Sequence, residues 1–305
     1  MKLTVSSSPH LHSGASTERI MADVLIALVP SVLAAAFFFG LRAFLVVLFC
    51  VALSMGFEAI CRLVMKRENT ALDGSAAVTG ALLALTLPAD VSLFYAAVGC
   101  AFAIIVVKQM FGGLGNNFVN PALAARIMML VSFPGAMTSS PRNFMLPDAV
   151  TTATPLSGGA ATSLFDLFIG RTHGAMGEVC KIAILLGFVY LLFRRVITPV
   201  IPVLMVGTVA LFSLAVGEDV GFQVLSGGLL FGAVFMATDY VTSPMTLVGQ
   251  AVYAVGCGLF TVLIRLYANL PEGVSYAVVL MNIVTPLIDR AFRPTPYGRR
   301  KRGAS

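Results

Sequence analysis

Ten long apolar segments divide this chain, and they constrain its fold more than any other feature of the sequence. A helix needs about 20 mostly apolar residues to cross the hydrocarbon core of a membrane. Charged residues make up only 11% of the chain, against roughly 25% in soluble domains, which argues against a soluble fold. We therefore predict an all-α polytopic membrane protein with about ten transmembrane helices. The segments are 20–40, 43–64, 73–87, 91–110, 121–133, 178–193, 198–216, 222–239, 247–266 and 274–291.

Two of these segments, 73–87 and 121–133, are too short to cross a bilayer comfortably. Non-standard helical backbone at membrane depth is tolerated where it is buried in protein or lines a cavity, because its polar groups must find partners there. The sequence therefore predicts that some of the ten helices are short, tilted or broken, and that these lie inside the bundle.

The positive charges are divided unequally between the two ends of the segments, which predicts the orientation in the membrane. If the N-terminus is cytoplasmic, all but five of the 20 Lys and Arg residues fall on the cytoplasmic side. We predict that both termini are cytoplasmic and that the loop 134–177 faces the outside of the cell membrane. The basic tail, 299–302, then contacts anionic lipid and is no nucleic-acid surface. The five outward residues are Arg42, Arg142, Arg171, Lys181 and Arg265.

Two stretches of the chain resemble each other. Residues 78–83 (Val-Thr-Gly-Ala-Leu-Leu) precede 97–100 (Ala-Val-Gly-Cys), and residues 225–230 (Leu-Ser-Gly-Gly-Leu-Leu) precede 254–257 (Ala-Val-Gly-Cys). Five crossings in each half would invert the second half relative to the first. The alternative is a chance similarity between apolar helices rich in small residues. The predicted organisation is an arm, 1–19, a first repeat, 20–133, an extracytoplasmic loop, 134–177, a second inverted repeat, 178–293, and a basic tail, 294–305.

The loop 134–177 contains a hydroxyl-rich segment, residues 148–156 (Asp-Ala-Val-Thr-Thr-Ala-Thr-Pro-Leu). It resembles the flavinylation motif, roughly Asp-x-x-Ser/Thr-x-Ala-Thr, at which a flavin transferase attaches FMN to the last threonine through a phosphoester bond. The resemblance implies covalent FMN on Thr154. A hydroxyl can attack a phosphoryl donor while a nearby carboxylate holds a metal or the nucleophile. An ordinary surface turn is the alternative. The residues implied to shape the loop for the transferase are Asp148, Thr151, Thr152, Ala153 and Pro155.

Three further stretches extend the resemblance over nearly the whole chain. Residues 5–13 (Val-Ser-Ser-Ser-Pro-His-Leu-His-Ser) resemble the opening of the D subunit of Rnf complexes, which are ion-translocating ferredoxin:NAD oxidoreductases. Residues 112–126 and 238–244 (Thr-Asp-Tyr-Val-Thr-Ser-Pro) are similar to that protein and to the B subunit of the sodium-pumping NADH:quinone reductase. The length of 305 residues and the short N-terminal arm favour the Rnf protein.

This resemblance implies a membrane flavoprotein that transfers electrons within a complex and couples their flow to Na⁺ or H⁺ transport. Its implied partners are a second flavin-carrying subunit, iron–sulfur subunits, and the flavin transferase during maturation. The chain would be an enzyme only as a subunit of that oxidoreductase. Two alternatives stay open, the B-type subunit of the quinone reductase and a non-redox transporter or channel with inverted repeats, which would need no flavin.

Asparagines in the turn 112–120 offer amide donors and acceptors. In the related quinone reductase protein, asparagines of this region lie near a non-covalent riboflavin, so the resemblance implies a second flavin with Asn120 as its candidate residue. Capping of a broken helix by Asn120 is the alternative. The glycines at 112, 113 and 115 lack the flanking strand and the spacing of a dinucleotide loop, so we do not predict NAD binding here.

Acidic residues in or near apolar segments are candidates for moving ions, because charge inside a membrane is costly and usually functional. Glu58 and Asp239 are the ion-pathway candidates. Asp73 also fits an N-cap of the third segment, and Asp289 fits a pair with Arg290. The five cysteines and three histidines lack the spacing of a cluster or metal site, so we predict no metal centre within this chain.

Overall fold

The structure is a computed structural model that describes residues 16–67, 73–138, 143–144, 156, 163–268 and 272–293. Helices and their connections form all of the described part of the chain, which contains no strand. Each of the ten predicted apolar segments is helical there, which confirms the all-α membrane fold.

The first half of the bundle contains five helices, and the fourth continues directly into a π-helix, Phe102–Gln109. The five helices are α1 (Thr17–Phe39), α2 (Leu41–Val64), α3 (Ser75–Thr86), α4 (Leu93–Ala101) and α5 (Pro121–Ser132).

Two short helices follow within the predicted outer loop, α6 (Pro134–Met137) and α7 (Leu164–Ile169). The second half of the bundle then contains α8 (Lys181–Phe193), α9 (Val200–Val216), α10 (Val220–Leu225), α11 (Leu229–Phe231) with its π-helical continuation Gly232–Met236, α12 (Leu247–Tyr267) and α13 (Gly273–Ala291).

Four of the described helices, α1, α2, α12 and α13, are long and apolar enough to cross a membrane, and five further apolar helices are shorter. Every residue of α3 is buried, so this helix is surrounded by protein, as predicted for a short segment inside the bundle. The prediction named only the third and fifth segments as short. The sixth is short as well, because α8 begins at Lys181 and has 13 residues.

The eighth segment, 222–239, was predicted as one helix, and the structure shows that this is wrong. Helix α10 ends at Leu225, and α11 begins only at Leu229. Between them Gly227 has φ +60°, a left-handed conformation that ends a helix and that glycine adopts at little cost. Apolar residues continue through the break, so the hydrophobic pattern alone did not reveal it.

Helix α1 begins inside the predicted arm 1–19. The hydroxyl of Ser16 accepts a hydrogen bond from the backbone N–H of Arg19, which caps the helix and fixes its start at Thr17. At the other end, Gly40 is the only residue between α1 and α2, and its φ of +79° allows this tight reversal.

The two halves pack through corresponding helices. The first helices of the halves, α1 and α8, contact each other, and so do the last ones, α5 and α13. The matched Ala-Val-Gly-Cys stretches both lie in helices, with Cys100 and Cys257 fully buried. The other matched pair differs, because 78–83 lies within α3 whereas 225–230 spans the break. This packing agrees with two related repeats, whose inverted orientation stays a prediction.

Candidate functional site

The segment predicted to carry FMN lies almost wholly outside the described residues. This applies to Thr154 and to Asp148, Thr151, Thr152, Ala153 and Pro155. The structure describes Leu156, two residues after Thr154, together with the helices near it. Two described regions bear on the predicted sites. One is the group of residues near Leu156, and the other surrounds Asn120.

The second region is a cavity of about 90 Å³, which we name the Asn120 cavity. Residues of α3, the start of α5 and the second π-helix enclose it, and the turn that carries Asp239 closes one side. The cavity brings together two of the predicted site residues, Asn120 and Asp239. Its polar lining consists of Ser75, Thr79, Lys108, Asn117, Asn120, Thr238, Asp239 and Tyr240.

Glu58 does not line this cavity but is bound to a residue that does. Lys108 Nζ lies 2.9 Å from Glu58 Oε2, and the two side chains are 2% and 0% exposed. Lys108 also donates to Ser75 Oγ at 2.6 Å, and Gln109 Nε2 donates to Glu58 Oε1 at 2.7 Å. Glu58 and Lys108 each have polar partners, which offsets the cost of burying their charges in an apolar bundle.

Asp239 lies in the turn after the second π-helix and faces the Asn120 cavity. Its side chain is partly buried. Its carboxyl group accepts hydrogen bonds from Val241 N at 3.4 Å and from Thr242 Oγ1 at 3.2 Å. A partly buried carboxylate that lines a cavity together with a lysine is chemically suited to bind a cation or a proton.

Asn120 caps α5, as one of the two interpretations of the sequence predicted. Its Oδ1 accepts hydrogen bonds from Ala122 N at 3.0 Å and Leu123 N at 3.3 Å. Its Nδ2 donates to the carbonyl oxygen of Met236 at 3.3 Å, so the cap also ties α5 to the end of the broken eighth segment. Asp73, predicted as the N-cap of α3, lies one residue before the observed N-cap, Gly74, and its Oδ1 accepts a hydrogen bond from Ser75 N at 2.8 Å.

The Asn120 cavity does not fit a complete riboflavin. Its volume of about 90 Å³ is well below the roughly 300–1,000 Å³ of pockets that enclose small-molecule ligands. The amide of Asn120 is also engaged by α5 and Met236. The described part of the chain therefore encloses room for water or a small ion at this place.

A second polar group lies at the opposite end of the bundle, around the break between α10 and α11. We name it the Lys181 cluster, and it contains Glu178, Lys181 and Arg265. Lys181 donates to the carbonyl oxygen of Glu178 and, at 3.4 Å, to that of Gly227. Arg265 donates to the carbonyl oxygens of Gln223 at 2.6 Å and Ser226 at 3.1 Å. Both cations thus satisfy backbone groups that the broken helix leaves free.

A buried ion pair adjoins this cluster. Arg126 Nε donates to Glu272 Oε2 at 2.8 Å, and Arg126 is 3% exposed. Burial raises the pKa of Glu272, which stands at the N-cap of α13, and the charge of Arg126 opposes that rise. The charge count of the sequence had placed Arg126 on the cytoplasmic side and Arg265 on the other. In the structure Arg126 lies near the middle of α5 and is paired with Glu272, while the side of the membrane that each end faces stays a prediction.

Leu156 joins the flavin segment to the Lys181 cluster. A methyl group added at Gly227 would lie 2.8 Å from Leu156 Cδ1 and 3.3 Å from Arg265 Nη2, so both side chains cover the same glycine. Among the described residues, Arg265 lies near Leu156 at Gly227, and the carboxylate of Glu178 lies beside the next glycine, Gly228. The donor set of Lys181 and Arg265 fits an anionic group such as the phosphodiester of a covalently bound FMN, because lysine and arginine form strong charge-assisted hydrogen bonds to phosphate oxygens.

Comparisons with known proteins identify the family. The family described as NQR2, RnfD, RnfE matches residues 4–298. The chain belongs to this family. It is 47% identical to the D subunit of the Na⁺-translocating ferredoxin:NAD⁺ oxidoreductase complex of Acetobacterium woodii, with 98% of this chain and 96% of the relative covered. It is 40% identical to the D subunit of the proton-translocating ferredoxin:NAD⁺ oxidoreductase complex of Clostridium ljungdahlii, over 98% and 97% of the two chains.

A third relative is the D subunit of the ion-translocating oxidoreductase complex of Stutzerimonas stutzeri, which is 37% identical over 94% of each chain. These relatives are subunits of oxidoreductase complexes, and they confirm the resemblance to the Rnf family that the sequence suggested.

Four cations of this NQR2, RnfD, RnfE family member were not predicted as site residues. The charge count treated them only as markers of orientation, although each lies within an apolar segment or near its end. This position was a usable signal, since a charge inside a span must find a partner there. The four are Lys108, Arg126, Lys181 and Arg265.

Proposed function

We propose that this chain is the flavin-carrying membrane subunit of an ion-translocating ferredoxin:NAD oxidoreductase complex. It would relay electrons between flavin and iron–sulfur subunits, and the complex would couple their flow to Na⁺ or H⁺ transport. The observation that carries this proposal is the full-length similarity to three proteins whose names state ion-translocating oxidoreductase complexes. Partner subunits and lipid would cover the exposed apolar surface.

Thr154 is the proposed attachment point of FMN. Support comes from the motif Asp148 to Thr154 and from the cationic Lys181 cluster next to Leu156. When bound, the flavin supplies redox chemistry that amino-acid side chains lack, and the chain supplies its position and electrostatic surroundings. An outward-facing loop would also be accessible to a transferase that acts outside the cytoplasm.

The test is ultraviolet fluorescence of the chain on a denaturing gel after co-expression with a flavin transferase. We expect a fluorescent wild-type band and a dark Thr154→Val band. Thr138→Val is the matched control, because it makes the same substitution at an exposed threonine of the same loop, outside the motif. A dark wild-type band beside a fluorescent known substrate of the transferase would exclude covalent FMN.

Asp239 and Glu58 are the proposed ion-pathway residues. Asp239 lines the Asn120 cavity. Glu58 does not line it but forms an ion pair with Lys108, which does. In proteoliposomes that contain the whole complex, we expect Asp239→Asn to lower the number of ions transported per NADH formed. An unchanged ratio in that variant would remove Asp239 from the pathway.

The second flavin near Asn120 has weaker support, because the cavity is small and the amide is occupied by capping bonds. The B-type quinone reductase protein stays the second candidate function, since the family description includes NQR2. Reduction of quinone without ferredoxin by the purified complex would favour it. A non-redox transporter would bind no flavin, so the gel experiment separates that alternative.

A further inference from the structure

Two side chains of opposite charge line the Asn120 cavity. Lys108 comes from the π-helix Phe102–Gln109, and Asp239 comes from the turn after the second π-helix. Lys108 forms its salt bridge with Glu58, yet its charge also acts on Asp239. A cation that enters the cavity would therefore meet an attractive carboxylate and a repulsive ammonium group together.

The ammonium group of Lys108 is held at the cavity wall by direct contacts. Its Nζ lies 2.9 Å from Glu58 Oε2 and donates to Ser75 Oγ at 2.6 Å. Ser75 Oγ in turn donates to Asp73 Oδ1 at 2.6 Å, so one carboxylate holds the lysine directly and another holds it through a hydroxyl group. Gln109 Nε2 donates to the second oxygen of Glu58 and fixes that carboxylate as well. These contacts keep the charge of Lys108 beside the cavity and away from a direct ion pair with Asp239.

Stability alone does not explain why an ion pair occupies this place. Replacing a buried ion pair by apolar side chains of similar size is often neutral or stabilising, and charges inside a membrane usually serve a function. Lys108 also lies in a π-helix, a rare conformation that is frequent at functional sites. Its place on the cavity wall indicates an effect on what the cavity binds.

We propose that Lys108 is a positioning residue that weakens the binding of the transported cation at Asp239, so that the cation can leave the cavity again. The inference rests on the proposed ion-pathway role of Asp239. Conduction requires binding that is weak enough for release, and a fixed positive charge in a weakly screened cavity lowers its affinity for a cation. Glu58 has the complementary role, because it offsets part of this repulsion and holds the ammonium group off Asp239. The ligand is a monovalent cation, Na⁺ or H⁺.

Other titratable groups surround Asp239, and they decide what a pH titration would report. Tyrosine and lysine side chains ordinarily change charge only near pH 10, so a titration near neutrality reports mainly on the carboxyl groups. In the described part of the chain, these neighbours are Lys108, Tyr240, Tyr253 and, behind Lys108, Glu58 and Asp73.

The test measures ferredoxin-dependent reduction of NAD⁺ by the purified complex that contains the variant chain. The rate is titrated with Na⁺ at fixed pH and with pH at fixed Na⁺, so the titration that responds identifies the ion. Lys108→Met should lower the half-saturating concentration of the ion by roughly tenfold and also lower the maximal rate, because the ion binds more tightly and leaves more slowly. For protons, this means that the midpoint of the pH profile moves to higher pH. Glu58→Gln should raise the half-saturating concentration, since it leaves the charge of Lys108 uncompensated.

The opposite directions of the two shifts decide the outcome. Both variants break the same ion pair, so a structural defect would move both half-saturating concentrations in the same direction. Lys108→Arg keeps the charge and should stay near the wild-type value. Shifts of Lys108→Met and Glu58→Gln in the same direction would overturn the proposal, and so would the absence of any shift in both titrations.

A double variant keeps the test decisive if the single variants do not fold. Glu58→Met with Lys108→Met buries no charge and removes the ammonium group from the cavity wall, so it should still lower the half-saturating concentration. The matched control is Arg126→Met with Glu272→Met, which removes another buried ion pair outside this cavity and should leave that concentration unchanged. Equal shifts in the two double variants would contradict a specific effect of Lys108.

The Asp239→Asn variant separates this inference from the proposed function. An unchanged number of ions transported per NADH in that variant means that Asp239 is not in the pathway, and the inference fails with it. A lowered number, together with unshifted titrations in the Lys108 and Glu58 variants, means that Asp239 belongs to the pathway but that Lys108 does not tune its affinity.

Discussion

At the scale of single residues, the charges inside this bundle are held in specific polar contacts. Glu58 and Lys108 are almost completely buried, and Ser75 and Gln109 complete their hydrogen bonds. The sequence predicted Glu58 as an unusual charge but not its partner, because the two residues are 50 positions apart and only the packing of α2 against the π-helix after α4 joins them. The sequence alone marked Glu58 as an unusual charge, but identifying Lys108 as its partner required the three-dimensional structure.

We expect Glu58→Gln to destabilise the chain by about 3–5 kcal/mol, because Lys108 would keep a buried charge without a counter-charge. The double variant Glu58→Met with Lys108→Met should recover most of that loss, since it buries no charge. Chemical denaturation in detergent, followed by circular dichroism, measures both.

Asp23→Asn is the control for this pair. Its partner Arg194 has a side chain that is 50% exposed, so the loss of stability should be clearly smaller. Equal losses from Glu58→Gln and Asp23→Asn would contradict the argument that burial decides the cost.

At the scale of helices, the apolar pattern predicted where helices lie but not where they break. All ten segments are helical because the membrane leaves the backbone few other ways to satisfy its hydrogen bonds. The break at Gly227 and the π-helical ends of two segments were not predicted, since glycine is also common inside intact membrane helices. The capping role of Asn120 was predicted as one of two alternatives, and its geometry needed the position of α5.

Gly80 of α3 provides a test of close helix packing. A methyl group there would lie 2.6 Å from the carbonyl oxygen of Cys50 in α2 and 2.8 Å from Ser54 Oγ. The carbonyl belongs to the backbone of a helix and cannot move alone, so Gly80→Ala should cost roughly 1–3 kcal/mol.

Gly56 of α2 is the matched control, because a methyl group there meets no atom within 4 Å. Gly56→Ala should be neutral or stabilise the protein by up to about 1 kcal/mol, since alanine favours the helix. Thermal unfolding of both variants in the same detergent measures the difference. A Gly80→Ala protein as stable as Gly56→Ala would show that α2 and α3 tolerate a wider separation than their close contact implies.

At the scale of the whole molecule, two polar regions lie at opposite ends of one bundle. The Asn120 cavity is enclosed by the start of α5 and the end of the second π-helix, while the Lys181 cluster adjoins the starts of α8 and α13. Helices α3 and α5 contribute to both regions, and apolar residues of the core separate them. The same two short helices therefore connect the two polar regions.

The orientation of the bundle in the membrane is a separate prediction, and two exposed positions test it. Ser163 lies in the predicted outer loop, whereas Met245, 88% exposed, lies in the turn before α12. Three predicted crossings separate them, so they should be on opposite sides of the membrane. The cysteines that are partly exposed, Cys61 and Cys180, are first replaced by alanine. In intact cells, a membrane-impermeant maleimide should label Ser163→Cys, and Met245→Cys should react only after permeabilisation.

The possible outcomes separate two parts of the prediction. Reversed labelling would invert the orientation and move the flavin segment to the cytoplasm, where a transferase acting outside could not reach it. Labelling of both positions from the same side would mean an even number of crossings between them, so the broken segment of α10 and α11 would not span the membrane. The expected pattern requires that this segment crosses despite its break. It would then be the counterpart of α3 in the second repeat, as the inverted organisation of the two halves predicts.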